Sequence, residues 1–264
     1  MVLIIGAAEA GKSTCAAWLA NALHARGLTV AIVDADVGQS EIGPPATVGF
    51  GRVRRLLTRT GDAEPLGFEF VGVTSPARRP WRTAEAAGRV SARARAGFDR
   101  VVVDTSGFVA GAFAGAVKRH KIAAVDPDVV VVIQAADEAE HIVRNLAGRA
   151  RPRVLRLPAI RGMRPRSPAA RRRHRHAALA RHLEGASPIV LEVACVEVRA
   201  ITGESVSLEN VTVGVIVALH AANGDTLALG VVDALDLAAG TLTVRTTHAA
   251  AEIAVVTVGE PTAT

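Results

Sequence analysis

The sequence predicts an α/β fold in which helices cover both faces of a mostly parallel sheet, followed by a small C-terminal β domain. Up to about residue 186, short apolar runs rich in valine and isoleucine alternate with helical patterns. Such runs are typical of strands that are buried on both faces of a parallel sheet. After Pro188 the segments become short and rich in valine and threonine, and turn sequences such as Asn223-Gly224 separate them.

Six strands and five helices are predicted in the first part of the chain. The first strand is a short apolar run that ends at a glycine, and the first helix stops at Gly27. The predicted strands cover residues 2–5, 28–33, 68–73, 100–103, 128–133 and 153–157. The predicted helices cover residues 12–26, 83–96, 111–125, 138–146 and 168–183.

The second part of the chain predicts a small antiparallel β domain or barrel. Its strand-like segments cover residues 189–198, 211–219, 226–232, 241–246 and 251–258. The change of pattern places the boundary between residues 186 and 187. The predicted domains are therefore residues 1–186 and 187–264.

Composition excludes several classes of protein. Half of the residues are hydrophobic, which is enough to bury a sizeable core. The two cysteines, Cys15 and Cys195, are far apart and form neither a disulfide framework nor a metal-binding pattern. No apolar run approaches the roughly 20 residues that a membrane helix needs, and the N-terminal apolar run has no cleavage site. We therefore expect a cytoplasmic protein.

Basic residues are concentrated in one stretch of the chain. Residues 149–183 contain twelve arginines and no acidic residue, whereas residues 186–264 contain nine acidic residues and two arginines. This distribution predicts contact with an anionic partner, such as a nucleic acid or the phosphates of a nucleotide. The alternative is a bias of composition, because the whole chain prefers arginine and has only three lysines.

A phosphate-binding loop is predicted between the first strand and the first helix. Residues 6–13 match the pattern G-x-x-x-x-G-K-[ST], which places backbone amides and a helix N-terminus around a phosphate. The fold is therefore expected to be that of a P-loop NTPase, with ATP or GTP and Mg²⁺ as ligands. Lys12 is expected at the β- and γ-phosphates, Ser13 at Mg²⁺ and Thr14 at the α-phosphate. The remaining loop residues predicted to bind the nucleotide are Gly6, Ala7, Ala8, Glu9, Ala10 and Gly11.

Two acidic residues, Asp34 and Asp36, follow the second strand. Side chains at this end of a strand next to the phosphate loop lie beside the nucleotide. On one interpretation, one carboxylate contacts Mg²⁺ through water and the other accepts the proton of an attacking hydroxyl. On the other interpretation, both carboxylates only order Mg²⁺ and water, as in a simple ATPase. The residues alone leave both interpretations open.

Five further motifs follow one another along the chain. They are Asp34, Gly38 and Gln39 followed by Pro44-Pro45-Ala46-Thr47; Gly72 to Pro76; Asp104 to Phe108 with Gly111; Arg166-Ser167 with Arg171, Arg172 and Arg175; and residues 214–236. In this order they resemble the motifs of the polynucleotide 5′-hydroxyl kinases, a family of RNA-processing P-loop kinases that acts in 3′-end formation, tRNA splicing and ribosomal RNA maturation. The resemblance implies transfer of the γ-phosphate of ATP or GTP to the 5′-hydroxyl of RNA or DNA.

The resemblance also implies roles for particular residues. Asp36 would be the general base, and Asp34 a supporting acid or a ligand of a metal-bound water. Asp104 would contact Mg²⁺ through water, or else cap the turn at Ser106-Gly107. The residues that would contact the acceptor are Gln39, Thr74, Ser75, Phe108 and Arg166. For Thr74 and Ser75 the alternative is a turn, and for Phe108 it is packing in the core.

An arginine-rich helix is predicted to close over the triphosphate as a lid, at about residues 166–183. Arg171 and Arg175 are four residues apart and share one helix face, and Arg172 is next to them. A guanidinium can stabilise the charge that develops on a phosphoryl group during transfer, so Arg171 and Arg175 are candidate catalytic residues and Arg172 a nucleotide ligand. The alternative is a solvated basic face.

Two other functions compete with the kinase. The sequences around Asp34 and Asp104 also fit switch ATPases of the ParA/MinD type, but Ala7 and Ala8 stand where that group usually has a second lysine. A non-catalytic, ATP-bound scaffold in RNA processing is the third candidate. The chain starts at the phosphate-loop strand, so we expect a family member without the usual N-terminal β domain, and an RNA-processing or ligase partner could replace that domain.

Overall fold

The computed structural model describes residues 1–146, 148–159, 167–224 and 226–260. Its contacts divide the chain into two units. The N-terminal unit consists of Met1–Glu69 and Ser75–Ala178, and the C-terminal unit consists of Phe70–Thr74 and Leu179–Thr264. The domain boundary between residues 186 and 187 stays a prediction.

A seven-stranded sheet forms the centre of the N-terminal unit. Its strands are β1 (Val2–Gly6), β2 (Val30–Ala35), β3 (Thr47–Arg52), β4 (Glu64–Phe70), β5 (Arg100–Thr105), β6 (Val129–Gln134) and β7 (Arg153–Pro158). They lie in the order β4-β3-β2-β5-β1-β6-β7. The five strands from β2 to β7 in this order pair in parallel, and β3 pairs with β2 in antiparallel orientation. The carboxyl ends of β1, β2 and β5 therefore meet at one edge of the sheet.

Helices cover both faces of this sheet, which confirms the predicted fold class. The helices are α1 (Lys12–His24), α2 (Pro80–Gly97), α3 (Gly111–Val125), α4 (Glu140–Val143) and α5 (Pro168–His182). Ile4 of β1, Ile32 of β2 and Val102 of β5 pack with α1 in one apolar cluster. Because side chains alternate along a strand, Leu3 and Val33 point to the opposite face, and they are fully buried as well.

The structure differs from the predicted elements of the N-terminal unit in three main places. The strand predicted at residues 68–73 is β4, which begins and ends earlier, at Glu64 and Phe70. Strand β3 was not predicted, because Gly49 and Gly51 interrupt its pattern of strand-forming residues. A Cβ atom on Gly49 would lie 1.9 Å from the carbonyl oxygen of Ile42, so the close approach of the two segments requires glycine. The helix predicted at residues 138–146 is one turn of α-helix, Glu140–Val143, followed by a 3₁₀ turn.

The C-terminal unit contains a six-stranded sheet. Its strands are β8 (Ser187–Glu192), β9 (Glu197–Ala200), β10 (Ile216–His220), β11 (Thr226–Asp236), β12 (Thr241–Thr246) and β13 (Val255–Val258), in the order β8-β12-β11-β10-β13-β9. All pairs are antiparallel except β13 with β9. The single strand predicted at residues 189–198 is therefore two strands. Apolar side chains of the six-stranded sheet, such as Leu219 and Leu242, form the core of this unit.

Among the described helices, none combines the length and the apolar character that crossing a bilayer requires. The cytoplasmic location remains a prediction from composition.

The packing of α2 against α3 gives a prediction about stability. A Cβ atom on Gly88 of α2 would lie 2.6 Å from the carbonyl oxygen of Ala124 in α3, so Gly88→Ala must push the two helices apart. We expect the free energy of unfolding to fall by about 1–3 kcal/mol, as for other overpacked cores. Urea denaturation followed by circular dichroism measures this change.

Gly97→Ala, in the same helix, is the matched control. Apart from its chain neighbours and the backbone of its own helix, no atom of the described residues lies within 4 Å of the position that its Cβ would occupy. We expect this variant to keep or raise stability, by up to about 1 kcal/mol, because alanine favours the helix. Equal losses in the two variants would contradict the close approach of α2 and α3.

Candidate active site

The loop from Gly6 to Ser13 has the backbone geometry that a phosphate-binding loop needs. Gly11 precedes α1 in the left-handed conformation, with φ 96°, and no side chain caps the helix. The first amides of a helix have no partner within the helix, so those of α1 are available to an anion. The Nζ atom of Lys12 donates a hydrogen bond to the carbonyl oxygen of Ala7, 2.7 Å away, across the loop.

Lys12 is buried and surrounded by acidic groups. Only 7% of its surface is exposed. Burial lowers the pKa of Lys12, while the nearby carboxylates of Asp104, Asp36 and Glu9 oppose this shift. The structure therefore brings the predicted phosphate-binding lysine together with two of the three predicted acidic residues.

The loop that follows β5 packs directly on the phosphate-binding loop. A Cβ atom on Gly107 would lie 2.5 Å from both the N and the Cα atom of Ala8. At the end of β5, the carboxylate of Asp104 accepts a hydrogen bond from Ser13 Oγ at 2.5 Å. These contacts fix the position of Asp104 relative to the start of α1.

Ser13 and Asp104 form a pair of oxygen ligands that fits Mg²⁺. The Oδ1 atom of Asp104 is buried, and no hydrogen bond reaches it from the described residues. An orphaned carboxylate oxygen of this kind is suited to a metal ion or to its water ligands. Among the described residues, no group of three or more acidic, histidine or cysteine side chains is arranged to hold a metal ion, but Mg²⁺ on a triphosphate needs only one or two protein ligands.

Asp34 has a different environment from Asp36. It is fully buried, and its carboxylate accepts hydrogen bonds from the backbone amides of Asp36, Glu41 and Ile42, at 3.0, 2.5 and 3.1 Å. Burial and the neighbouring Asp104 raise the pKa of Asp34 to about 7. With its oxygens bonded to these amides, Asp34 organises the loop from Asp36 to Ile42. Its role as a metal ligand stays a prediction that this geometry does not favour.

Asp36 leaves one carboxylate oxygen for a ligand. Its Oδ1 atom accepts hydrogen bonds from the amides of Gly38, at 3.0 Å, and Gln39, at 3.2 Å. Within the described part of the chain, no hydrogen bond reaches Oδ2. The side chain is only partly buried. Asp36 is thus oriented by its own loop and can accept a proton from outside it.

The N-terminal end of α5 lies beside this loop. The Nε2 atom of Gln39 donates to the carbonyl oxygen of Arg171 at 3.3 Å. Burial lowers the pKa of Arg175, and the nearby guanidinium groups of Arg172 and Arg171 lower it further. Three of the predicted lid arginines therefore cluster near the acidic loop. Arg166 lies outside the described residues, so its predicted role stays a prediction.

The other residues that are predicted to contact the acceptor substrate do not all belong to one unit. Thr74 belongs to the C-terminal unit, whereas Ser75 begins a segment of the N-terminal unit. The carbonyl oxygen of Ser75 accepts a hydrogen bond from the amide of Arg78, which closes a turn. Phe108 is partly buried and its ring contacts the edge of Phe113, with ring centres 6.1 Å apart.

Sequence reasoning missed two lysines and one aromatic residue near the site. Lys118 and Lys121 of α3 are each 1% exposed. Burial lowers the pKa of Lys118 well below its usual value and that of Lys121 to about 8. Phe113, which is half exposed, adds a second ring beside Phe108. The available signal was the rarity of lysine in this arginine-rich chain, because all three lysines lie at this site.

The contact between Gly107 and Ala8 gives a prediction about nucleotide binding. Gly107→Ala would displace the phosphate-binding loop, because its methyl group would overlap the backbone of Ala8. We expect the dissociation constant for MgATP to rise about tenfold or more, which corresponds to a loss of about 1.4 kcal/mol. Titration calorimetry measures this constant, with Gly97→Ala as the control of unchanged affinity. Unchanged affinity in Gly107→Ala would contradict the packing of the two loops.

Comparison with known proteins relates the chain to a family of P-loop proteins. Residues 6–185 match the family model described as mRNA cleavage and polyadenylation factor CLP1 P-loop. The polyribonucleotide 5′-hydroxyl-kinase of Pyrococcus furiosus is 36% identical over 142 residues, which cover 54% of this chain and 40% of that protein. The corresponding kinase of Methanocaldococcus jannaschii is 31% identical over 156 residues, which cover 59% and 43%. The chain thus aligns with less than half the length of these curated relatives.

Two further comparisons extend over more of the chain. The polyribonucleotide 5′-hydroxyl-kinase Clp1 of Xenopus tropicalis is 30% identical over 189 residues, which cover 66% of this chain and 41% of that protein. The solved structure of Clp1p in its complex with Pcf11p superposes with a TM-score of 0.74 at 11% identity, and the match covers 98% of this chain and 74% of that one. At this identity the structural match establishes the fold alone. The family model covers most of the chain, and the protein therefore belongs to the CLP1 P-loop family.

Proposed function

We propose that this chain is a polynucleotide 5′-hydroxyl kinase that transfers the γ-phosphate of ATP or GTP to the 5′-hydroxyl of RNA or DNA. The observation that carries the proposal is Asp36, a carboxylate that is oriented by its own loop, lies near Lys12 and has one oxygen without a partner in the described chain. The names of the curated relatives support RNA as the first acceptor to test. Nucleotide binding itself follows from membership of the family.

Asp36 would act as the general base. Its Oδ2 atom would accept the proton of the 5′-hydroxyl while the 5′ oxygen forms a bond to the γ-phosphorus. The bond between that phosphorus and the bridging oxygen of the β-phosphate breaks, and the nucleoside diphosphate leaves with this oxygen. The amides of Gly38 and Gln39 hold the other oxygen of Asp36, so the base does not need to reorient before the transfer.

Cationic side chains would stabilise the charge of the transferring group. Lys12 is buried beside the loop amides, where its interaction with a phosphate is stronger than in water. Arg171 and Arg175 would contact the transferring phosphate, and Arg172 the nucleotide, from α5. Ser13 and Asp104 would hold Mg²⁺, which neutralises charge on the β- and γ-phosphates when it is bound.

The acceptor would be held by its terminal base and its backbone. Phe108 and Phe113 form an aromatic pair after β5, and such a pair can stack on a base without reading its identity. Gln39, Thr74 and Ser75 stay candidate contacts to the acceptor. We therefore expect weak sequence preference and strong dependence on salt, since most of the contacts would be to phosphates.

A phosphate-transfer assay tests the proposal. The protein, Mg²⁺ and γ-labelled ATP or GTP are incubated with a 5′-hydroxyl RNA, the matching DNA and a 5′-phosphorylated control. We expect label on the 5′-hydroxyl ends only. Asp36→Asn should lower the rate at least about 100-fold, in the range of a lost general base, while nucleotide affinity is kept. Lys12→Ala should lose both transfer and affinity.

The outcomes of this assay separate the competing functions. Nucleotide hydrolysis without label on any oligonucleotide would contradict the kinase and favour a switch ATPase. Tight nucleotide binding with neither transfer nor hydrolysis would favour a scaffold. Equal activity of Asp36→Asn and the parent protein would remove Asp36 from the role of base.

The arginines of α5 give a second prediction. Arg175→Ala should lower the rate of transfer about 10- to 1000-fold with a smaller change in the Michaelis constant for nucleotide, because a lid guanidinium acts mainly on the transition state. Arg173→Ala is the control, since Arg173 lies on the same helix but is exposed and two residues from both Arg171 and Arg175. Steady-state kinetics with a short 5′-hydroxyl RNA measures both constants. Equal losses in the two variants would indicate a general effect of basic charge.

A further inference from the structure

All three lysines of the chain lie at the edge of the sheet that carries the acidic residues. Lys12 belongs to the phosphate-binding loop, whereas Lys118 and Lys121 come from α3, three residues apart and therefore on one helix face. Both are buried, each with 1% of its surface exposed. Burying an ammonium group is costly unless it is hydrogen-bonded or paired, so these two positions need an explanation.

Lys121 is bonded to the backbone between the two acidic residues that follow β2. Its Nζ atom donates to the carbonyl oxygen of Ala35 at 2.9 Å. Ala35 is the last residue of β2 and lies between Asp34, which organises the loop, and Asp36, the proposed base. The bond therefore fixes the peptide from which the proposed base extends.

Lys118 is bonded to the loop that follows β5. Its Nζ atom donates to Thr105 Oγ1 at 2.8 Å and to the carbonyl oxygen of Ser106 at 2.5 Å. Thr105 Oγ1 in turn donates to the carbonyl oxygen of Ile4 in β1, at 2.8 Å. This chain of bonds joins α3, β5 and β1 directly behind Asp104.

The two lysines therefore connect α3 to three neighbouring strands. Lys121 holds the end of β2, and Lys118 holds the end of β5 and, through Thr105, reaches β1. Ala35 pairs with Thr105 at the last position of the β2–β5 ladder, and Ser106 lies beyond it, so lysine side chains supply bonds to the carbonyl oxygens of Ala35 and Ser106. A flexible four-carbon stem with three donor hydrogens suits this task better than a planar guanidinium.

We propose that Lys121 and Lys118 are positioning residues that hold the loop of Asp36 and the loop of Asp104 in fixed register behind the triphosphate site. They do not touch the nucleotide or the acceptor. Lys121 sets the position of Asp36 through Ala35, and Lys118 sets that of Asp104 through Thr105 and Ser106. The kinetic part of this proposal rests on the proposed kinase function, and the structural part is independent of it.

Lys121→Met tests the proposal, because methionine keeps the length of the stem and removes the donor. We expect kcat for transfer to a 5′-hydroxyl RNA to fall about 10- to 100-fold, the range for a misplaced reacting group. The Michaelis constant and the dissociation constant for MgATP should change less than about twofold, because the phosphate-binding loop keeps its own contacts. Lys121→Gln retains a donor and should recover part of kcat.

Arg119→Met is the matched control. Arg119 is also a long cation of α3 that donates to a backbone carbonyl, that of His141 at 3.1 Å, and in the described part of the chain it has no hydrogen bond to the acidic loops. We expect its kcat to equal that of the parent protein. Equal losses of kcat in Lys121→Met and Arg119→Met would overturn the specific role of Lys121.

Hydrogen exchange read by mass spectrometry separates this proposal from the proposed function. In Lys121→Met and Lys121→Gln, the segment 34–42 should exchange about two- to tenfold faster relative to β6, the effect of losing or weakening one hydrogen bond. In Lys118→Met the segment 104–108 should respond in the same way. A parent protein without kinase activity would refute the proposed function, and the exchange measurement would still decide this proposal. The positioning role would be overturned if the segments 34–42 and 104–108 exchanged at unchanged rates relative to β6 in all three variants. This holds even if one variant has lost global stability, because the rates are compared within one protein.

Discussion

The structure depends on how it accommodates charge at one edge of the N-terminal sheet. Asp34 and Asp104 are fully buried there, Asp36 is partly buried, and three buried lysines face them. Uncompensated burial of such groups would cost more than the marginal stability of a domain of this size. Backbone amides, carbonyl oxygens and Ser13 supply the compensation. The hydrogen bonds that compensate the buried charges therefore also hold the loops in place, at the site where a triphosphate would bind.

The same constraint gives the three carboxylates different chemistry. Both carboxylate oxygens of Asp34 accept hydrogen bonds from amides of the loop. Asp104 accepts a hydrogen bond from Ser13 on one oxygen only, and Asp36 accepts from amides that leave its outer oxygen open. All three are aspartates, so their neighbours determine their chemistry. Asp34 organises its loop, Asp104 is suited to a metal ion and Asp36 can accept a proton. Gly107 lets the loop of Asp104 approach the phosphate-binding loop closely enough for these roles to act on one ligand.

Much of this arrangement could be predicted from the sequence, because it depends on local patterns. The glycines and Lys12 after an apolar strand indicate the phosphate-binding loop. The acidic residues at the ends of β2 and β5 indicate that these strand ends lie beside that loop. Strand β3 could not be predicted, because its glycines serve tertiary contacts, Gly49 with Ile42 and Gly51 with Ala63 and Glu64. Lys118 and Lys121 also escaped prediction, because a charged residue in a helix is expected on the surface and their partners lie 12 to 86 residues away. The separate roles of Asp34 and Asp36 depend on amides that only the folded loop brings together.

The most direct test of Asp36 as the general base is a crystal structure of the protein with a non-hydrolysable ATP analogue, Mg²⁺ and a short 5′-hydroxyl RNA. We expect that the outer carboxylate oxygen of Asp36 lies within hydrogen-bonding distance of the 5′ oxygen, that Ser13 and Asp104 face the metal, and that Asp34 still binds the amides of its loop. A 5′ end bound away from Asp36, or Asp34 in contact with the metal or the 5′ oxygen, would contradict this expectation.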